Sequence, residues 1–268
     1  MSVERDSLGA LGPIVVRKRE EVAALHRGAV ALWAAAESAP PARAFAAAIR
    51  GGGVIAEMKR RSPSGGTLRA GLAPAPLAAA YAGAGAAALS VLTDLADFGG
   101  SLDDLAAARA AVELPVLRKD FVVDPLQVAE ARAAGADCVL LIVAVLGRAG
   151  VEQCLAAAAR CGIDALVEIH DEEEAVTATG AGALVIGVNN RDLRTLRCDL
   201  STFGRLRPLL GDAVCVAESG VRDAADAARL VGEGADAVLV GETLMRAADP
   251  AAACAEMVLA TRSAAATR

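Results

Sequence analysis

Residues 54–66, Val54-Ile-Ala-Glu-Met-Lys-Arg-Arg-Ser-Pro-Ser-Gly-Gly66, run an apolar strand into a polar turn closed by glycine. Side chains two apart on a strand share a face, so Glu57 and Lys59 project side by side, a carboxylate and an ammonium close enough to tune each other. A solvated ion pair would leave the same residues, but the Ser-Pro-Ser-Gly turn that follows is suited to an anion. Outward from this stretch the pattern repeats. Short β-branched runs are expected as strands at Val54–Met58, Ala87–Leu92, Pro115–Arg118, Asp137–Val143, Ala165–Ile169, Leu184–Val188, Val214–Ala217 and Ala237–Val240, with Ala-rich helical segments between them. Such alternation gives a parallel sheet. Eight units suggest closure, and the 268 residues suit one α/β barrel, which commonly takes about 250. The expected fold is α/β, a single (β/α)8 TIM barrel. Glycines before several strands, as at Gly135, Gly182 and Gly234, sit where helix C-termini turn back.

Ahead of the first strand, Val15–Leu25 reads as a charge-rich amphipathic helix, Pro40-Pro41 breaks the chain and Ala42–Ile49 reads as another helix. This segment is too short for a core of its own. Residues 1–50 are therefore expected as a helical extension packed on a catalytic barrel of residues 51–268. The apolar fraction of 55% comes largely from Ala, with six aromatic residues, so the core packs small and branched side chains. A net charge of −6 argues against a nucleic-acid partner, which needs a positive surface. The six cysteines are scattered without a Cys-x-x-Cys pair and only two histidines accompany them, so reduced thiols and no metal site are expected. No run reaches the roughly 18 apolar residues of a membrane span, and Met1–Pro13 lacks an apolar leader, pointing to a cytoplasmic protein with no membrane partner.

In a barrel, the C-terminal ends of the strands form one mouth, where residues distant in sequence converge. Here those ends supply Glu57 and Lys59, Arg118-Lys119-Asp120-Phe121, Glu168, Asn189-Asn190-Arg191-Asp192, Glu218-Ser219-Gly220 and Gly241-Glu242. One charged strand end means little; six together indicate a site.

These blocks resemble indole-3-glycerol phosphate synthase. The resemblance runs in order from Val54–Gly66 through Leu92-Thr-Asp94 with Phe98, Leu117–Phe121, Leu166–Ile169, Gly187–Leu193 and Ala217–Val221. It implies ring closure of 1-(2-carboxyphenylamino)-1-deoxyribulose 5-phosphate with loss of CO2 and water, in tryptophan biosynthesis. Such chemistry needs acids and a base, not a cofactor, and the partner is a phosphorylated small molecule; monomer or weak homo-oligomer is expected. Carried over from the family, Lys119 is the general acid that protonates the ketone and Glu168 its proton-relaying partner, with Lys59 and Glu57 assisting loss of water; how acid and base roles divide between the two pairs stays open. Asn189 would hold a sugar hydroxyl, and Glu218 and Ser219 other polar groups of the chain. Arg191 is the candidate for the anthranilate carboxylate, and Phe98, Phe121 and Leu140 for walls of the ring, although the phenylalanines equally suit the core. The phosphate would meet Gly220, Gly241 and the backbone of Glu242, whose carboxylate should turn away, with Ser62 and Ser64 either completing the anion site or capping the turn. The family also carries a helical extension bordering the substrate.

Other residues read as inert. His170 is expected on the strand face opposite Glu168, capping the helix that starts at Asp171–Glu174, and His26 has no nucleophile or metal beside it. Trp33 and Tyr81 suit helix packing. The chain departs from the family at Asp97-Phe98-Gly99-Gly100-Ser101, where glycine replaces a larger polar residue and a more mobile loop is expected. Two alternatives remain: a related phosphate-binding barrel such as phosphoribosylanthranilate isomerase, which would need a cysteine ending the first strand, and a non-catalytic scaffold subunit, which would lack Lys119 or Glu168.

Overall fold

The computed structural model describes residues 11–63, 65–193 and 195–268. Eight parallel strands close on themselves: β1 (Gly53–Met58), β2 (Ala88–Leu92), β3 (Val116–Lys119), β4 (Cys138–Ile142), β5 (Asp164–Ile169), β6 (Val185–Asn189), β7 (Val214–Glu218) and β8 (Ala237–Val240). β1 pairs with both β2 and β8, and a helix follows each strand, so this is a (β/α)8 TIM barrel. Each strand lies within two residues of its expected bounds.

The period of two along each strand fixes what points inward. Ile55, Leu117, Cys138, Leu140, Leu166, Val185, Val214, Val216 and Ala237 fill the barrel, whereas Val54, Ala56, Val116, Val139 and Val167 pack outward beneath the helices. Continuing the inward rows toward the C-terminal ends gives Glu57 and Lys59, Lys119 and Phe121, Glu168 and His170, Asn189, Glu218, and Gly241. Gly135, Gly182 and Gly234 all adopt positive φ, as the turns before β4, β6 and β8 require.

The extension forms α1 (Gly12–Leu25), α2 (Ala29–Ser38) and α3 (Phe45–Ile49). α2 was not expected, and α3 is shorter than Ala42–Ile49. The backbone N–H groups of Arg43 and Ala46 are instead held by Asp137 and Asp164 at the starts of β4 and β5, each at 2.9 Å. That anchoring drives Phe45 and Ile49, both fully buried, into the strand-start end of the barrel core, each worth about 1.5–3 kcal/mol of apolar burial. At the opposite end, Leu11 and Ile14 border the mouth. No described helix is long and apolar enough to cross a membrane.

A short antiparallel ribbon, Arg61–Ser62 with Gly66–Thr67, rises from the loop after β1. The loop after β2, where more mobility is expected, is capped and bonded to its surroundings. Asp94 caps the helical turn Leu95–Phe98, Gly99 ends it in the left-handed conformation, and Ser101 caps the helix Leu102–Ala111. Arg60 fastens the β1 loop to it, donating to Gly99 O at 2.9 Å and pairing with Asp104 at 2.5 Å.

Candidate active site

The mouth encloses a cavity of about 710 Å³ lined from all eight barrel strands or the loops after them. Its floor is charged. Lys119 Nζ lies 3.1 Å from Glu168 Oε2 and 3.1 Å from Glu218 Oε2, so one ammonium is bracketed by two carboxylates from β5 and β7. Across the mouth Lys59 Nζ meets Glu57 Oε1 at 2.7 Å, and Ser90 donates weakly to Glu57 Oε2 at 3.5 Å. The Glu57–Lys59 pair expected on strand parity and the Lys119–Glu168 pair implied by the family resemblance are both formed within one cavity.

Burial alone would lower Lys119, but Glu168, Glu218 and Glu57 outweigh it and hold the ammonium above the ordinary lysine range. The two carboxylates beside it differ. Burial would raise Glu168, yet Lys119 and His170, with Asn189 donating to Oε1 at 3.0 Å, hold it well below the ordinary range. Burial pushes Glu218 up to about 7, and its Oε1 is buried without a hydrogen-bond partner. Two carboxylates on one lysine therefore split, one ionised and one able to carry a proton near neutrality.

His170 overturns the reading that set it on the face opposite Glu168. Residues 168 and 170 are two apart and share a face. The ring reaches Glu168 Oε1 at 3.3 Å through Nε2 and Glu174 Oε2 at 2.9 Å through Nδ1. The helix starts where expected, but its N-cap is Asp171, which accepts Glu174 N–H, and not His170.

The remaining expected residues also reach the cavity, with some duties revealed by the structure. Asn189 uses both ends of its amide on the protein, donating to Glu168 and accepting Arg191 N–H at 3.0 Å. Arg191 also donates through a guanidinium N–H to Leu196 O at 2.8 Å. Phe98 and Phe121 line the cavity with ring centroids 6.0 Å apart, and Leu140 joins them. Ser62 accepts Gly65 N–H at 3.0 Å, the turn-capping role, while still facing the cavity. Ser64 lies outside the described residues. Glu242 pairs with Arg246 at 2.9 Å, which neutralises its carboxylate.

Backbone geometry marks the ends of β7 and β8. Ser219 and Gly220 both hold positive φ, 64° and 81°, an unusual run in which a non-glycine residue takes strain next to Glu218. Gly241 has a second duty beyond an anion contact: a Cβ there would overlap the Glu57 carboxylate and crowd Lys59 Nζ. Gly187 likewise leaves room for Glu218. Sequence reasoning missed Arg222 and Arg246 among the lining residues. Only their spacing of two and four residues beyond Gly220 and Glu242 could have drawn attention to them.

Comparison with known proteins agrees with this geometry. The family model for indole-3-glycerol phosphate synthase matches residues 11–257. Indole-3-glycerol phosphate synthase 2 of Streptomyces coelicolor is 61% identical over 218 residues, covering 80% of this chain and 84% of the relative. The Mycobacterium avium enzyme of the same family name is 54% identical, covering 85% of each chain, and that of Mycolicibacterium vanbaalenii 51% identical, covering 95% of each. Among solved structures, 3-hexulose-6-phosphate synthase from Salmonella typhimurium superposes with a TM-score of 0.63 at 16% identity, covering 79% of this chain and 99% of the other, a likeness of fold alone. The chain belongs to the indole-3-glycerol phosphate synthase family, decarboxylating lyases of tryptophan biosynthesis.

Proposed function

We propose that the family reaction runs here on a single proton circuit built around Lys119. The substrate is 1-(2-carboxyphenylamino)-1-deoxyribulose 5-phosphate. Lys119 protonates the ketone oxygen as the carboxyl-bearing ring carbon attacks the ketone carbon, giving a tertiary alcohol. The C–CO2 bond then breaks, and its electron pair neutralises the cyclised ring system. Departure of the hydroxyl as water, with loss of a proton from the neighbouring sugar-derived carbon, leaves indole-3-glycerol phosphate.

The observation that carries this reading is the bracket of Lys119 between Glu168 and Glu218, one held ionised and the other retaining a proton near neutrality. A lysine raised above its ordinary range gives up a proton reluctantly, and a neutral Glu218 in contact can replace the proton as it leaves. Glu168 stays anionic and stabilises the ammonium. Lys59, paired with Glu57, is assigned to the departing hydroxyl, and Asn189 to orienting Glu168. Arg191 is assigned to the anthranilate carboxylate, which a guanidinium can hold in a bidentate way. Phe98, Phe121 and Leu140 wall the ring. The phosphate is assigned to the end of the mouth formed by Ser219, Gly220, Gly241 and the Glu242 backbone, the common barrel location, with Ser62 and Ser64 alongside.

We further assign the protein to the cytoplasm as a monomer or weak homo-oligomer. Its strongly exposed apolar side chains, Val30, Leu95, Val176, Leu184 and Leu259, are spread over separate elements. The test is incubation of the purified chain with the substrate while indole fluorescence is followed. Appearance of the signal is expected, with loss on Lys119→Met; turnover of phosphoribosylanthranilate instead would replace this reading by the isomerase.

A further inference from the structure

We propose that His170 is a positioning residue of this site: braced by Glu174, its ring acts as a fixed cationic partner of Glu168, so that the proton near Lys119 resides on Glu218. The inference rests on the proton circuit proposed above and names what makes its two carboxylates unequal.

The geometry is built in layers. Asp171 caps the helix Glu172–Gly180 and accepts Glu174 N–H at 2.9 Å, which fixes Glu174 in the first turn. Glu174 Oε2 then accepts the His170 backbone N–H at 2.7 Å and faces Nδ1 at 2.9 Å. The ring is thereby held with Nε2 toward Glu168 Oε1. Nε2 stands at ion-pair distance from Glu168, 3.3 Å, without forming a hydrogen bond, and a ring placed between two carboxylates is favoured as the imidazolium. Burial would lower the ring, but Glu168 and Glu174 outweigh it and raise it to about 10.

Asymmetry follows from counting partners. Glu168 accepts hydrogen bonds from Lys119 and Asn189 and has the His170 ring at ion-pair distance; Glu218 has Lys119, and its Oε1 has no hydrogen bond. His170 does not line the substrate cavity. It lines a neighbouring one of about 640 Å³ together with Glu174, and the further charged groups there are Asp171, Asp192 and Asp199 with Arg191, Arg197 and Arg205. The groups the ring meets at ion-pair distance are Glu168 and Glu174. A group behind Glu168 and away from substrate acts on the reaction through Glu168.

The experiment compares the full chain with His170→Gln, which keeps a donor without charge, and His170→Lys, which restores a cation. Wild type should show a break in its kcat/KM profile near pH 7. His170→Gln should move that break upward by about one unit and lower kcat about tenfold at fixed KM, since one opposite charge removed from beside a carboxylate shifts it by about 1–3 units. His170→Lys should move the break back toward wild type. The chain has two histidines, so imidazole nitrogen NMR of wild type, assigned with His26→Gln, reads His170 directly even where a variant fails to fold. Both ring nitrogens should be protonated at pH 8. A superimposable profile for His170→Gln, or a neutral ring at pH 8, overturns the inference. Wild type without activity on the substrate would instead sink the proposed function, with the NMR result standing apart.

Discussion

Lys18 Nζ lies 2.9 Å from Asp120 Oδ1 and 3.0 Å from Asp94 Oδ2, with all three side chains sealed from water. The extension is thus tied through α1 to the residue directly after Lys119. Arg118 pairs with Asp120 from the other side at 3.1 Å, and Thr93 donates to it at 2.6 Å. Lys18 bridges the strand-end loops of β2 and β3 through Asp94 and Asp120, with Arg118 buried beside it.

Removing Lys18 leaves Asp94 with Arg17 at 2.8 Å and Asp120 with Arg118 at 3.1 Å, each short of one of its cations. Lys18→Met is expected to cost about 1.5–3 kcal/mol, the scale of a lost charged hydrogen bond, because Arg17 and Arg118 still compensate the two carboxylates. Burial would raise Asp120, but Arg118 and Lys18 hold it at about 2 against an ordinary 3.8. A depressed carboxylate contributes stability that is present above its ordinary value and lost as pH falls through its folded value. The gap between wild type and Lys18→Met should therefore narrow as pH drops from about 4 to about 2. Urea denaturation across that pH series checks it, and a constant gap would show that Asp120 does not feel Lys18.

The two lysine–carboxylate pairs separate acid catalysis from binding. Lys119→Met keeps length while removing charge and proton, so kcat should fall about 100-fold or more with a much smaller change in KM. Glu168→Gln should also depress kcat. The double variant should be little worse than the worse single one, because groups in one proton circuit are non-additive. Near-normal kcat with a greatly raised KM for Lys119→Met would make it a binding cation and pass the acid role to Lys59.

Glycine substitutions distinguish room for a carboxylate from room for a phosphate. At Gly241 a Cβ would overlap Glu57 and crowd Lys59, so Gly241→Ala should lower kcat by displacing that pair. At Gly220, with φ at 81°, a Cβ would press on Cys198 and Leu200 at 3.1 Å, so Gly220→Ala should strain the backbone beside Ser219 and act mainly on KM. Steady-state kinetics of both variants decide, and an effect confined to KM at Gly241 would return that residue to the phosphate alone.

The barrel and most of its mouth were legible because strand parity is local information. Once Glu57 and Lys59, or Leu117 and Lys119, are two apart, the face follows without tertiary knowledge. The same rule puts His170 on the Glu168 face of β5, against the expectation of the opposite face. The closeness of Lys119 to Glu218, by contrast, depends on which strands face each other across a closed barrel and on Gly187 leaving room. No spacing encodes that. The grip of α1 is of the same kind: Lys18 looks like any charge on an amphipathic helix until Asp94 and Asp120 come to meet it. The β2 loop was expected to be loose because glycine was weighed by its freedom, whereas caps at Asp94 and Ser101 and the Arg60 anchor hold it.

The pH dependence tests the division of labour between the carboxylates. Burial pushes Glu218 up to about 7, so in the free enzyme its protonated form gives way as pH rises through that value. If neutral Glu218 replaces the proton that Lys119 donates, kcat/KM should fall on the alkaline side with a break near 7. Bound substrate adds a phosphate and a carboxylate nearby, and negative charge raises a neighbouring carboxyl further. The break in kcat should therefore lie above the break in kcat/KM. Glu218→Gln keeps shape and removes the titration, so the break near 7 should vanish and kcat at pH 6 should drop about 100-fold for want of a transferable proton. A Glu218→Gln variant that retained the same break would assign it to another group and leave Lys119 to recover its proton from solvent.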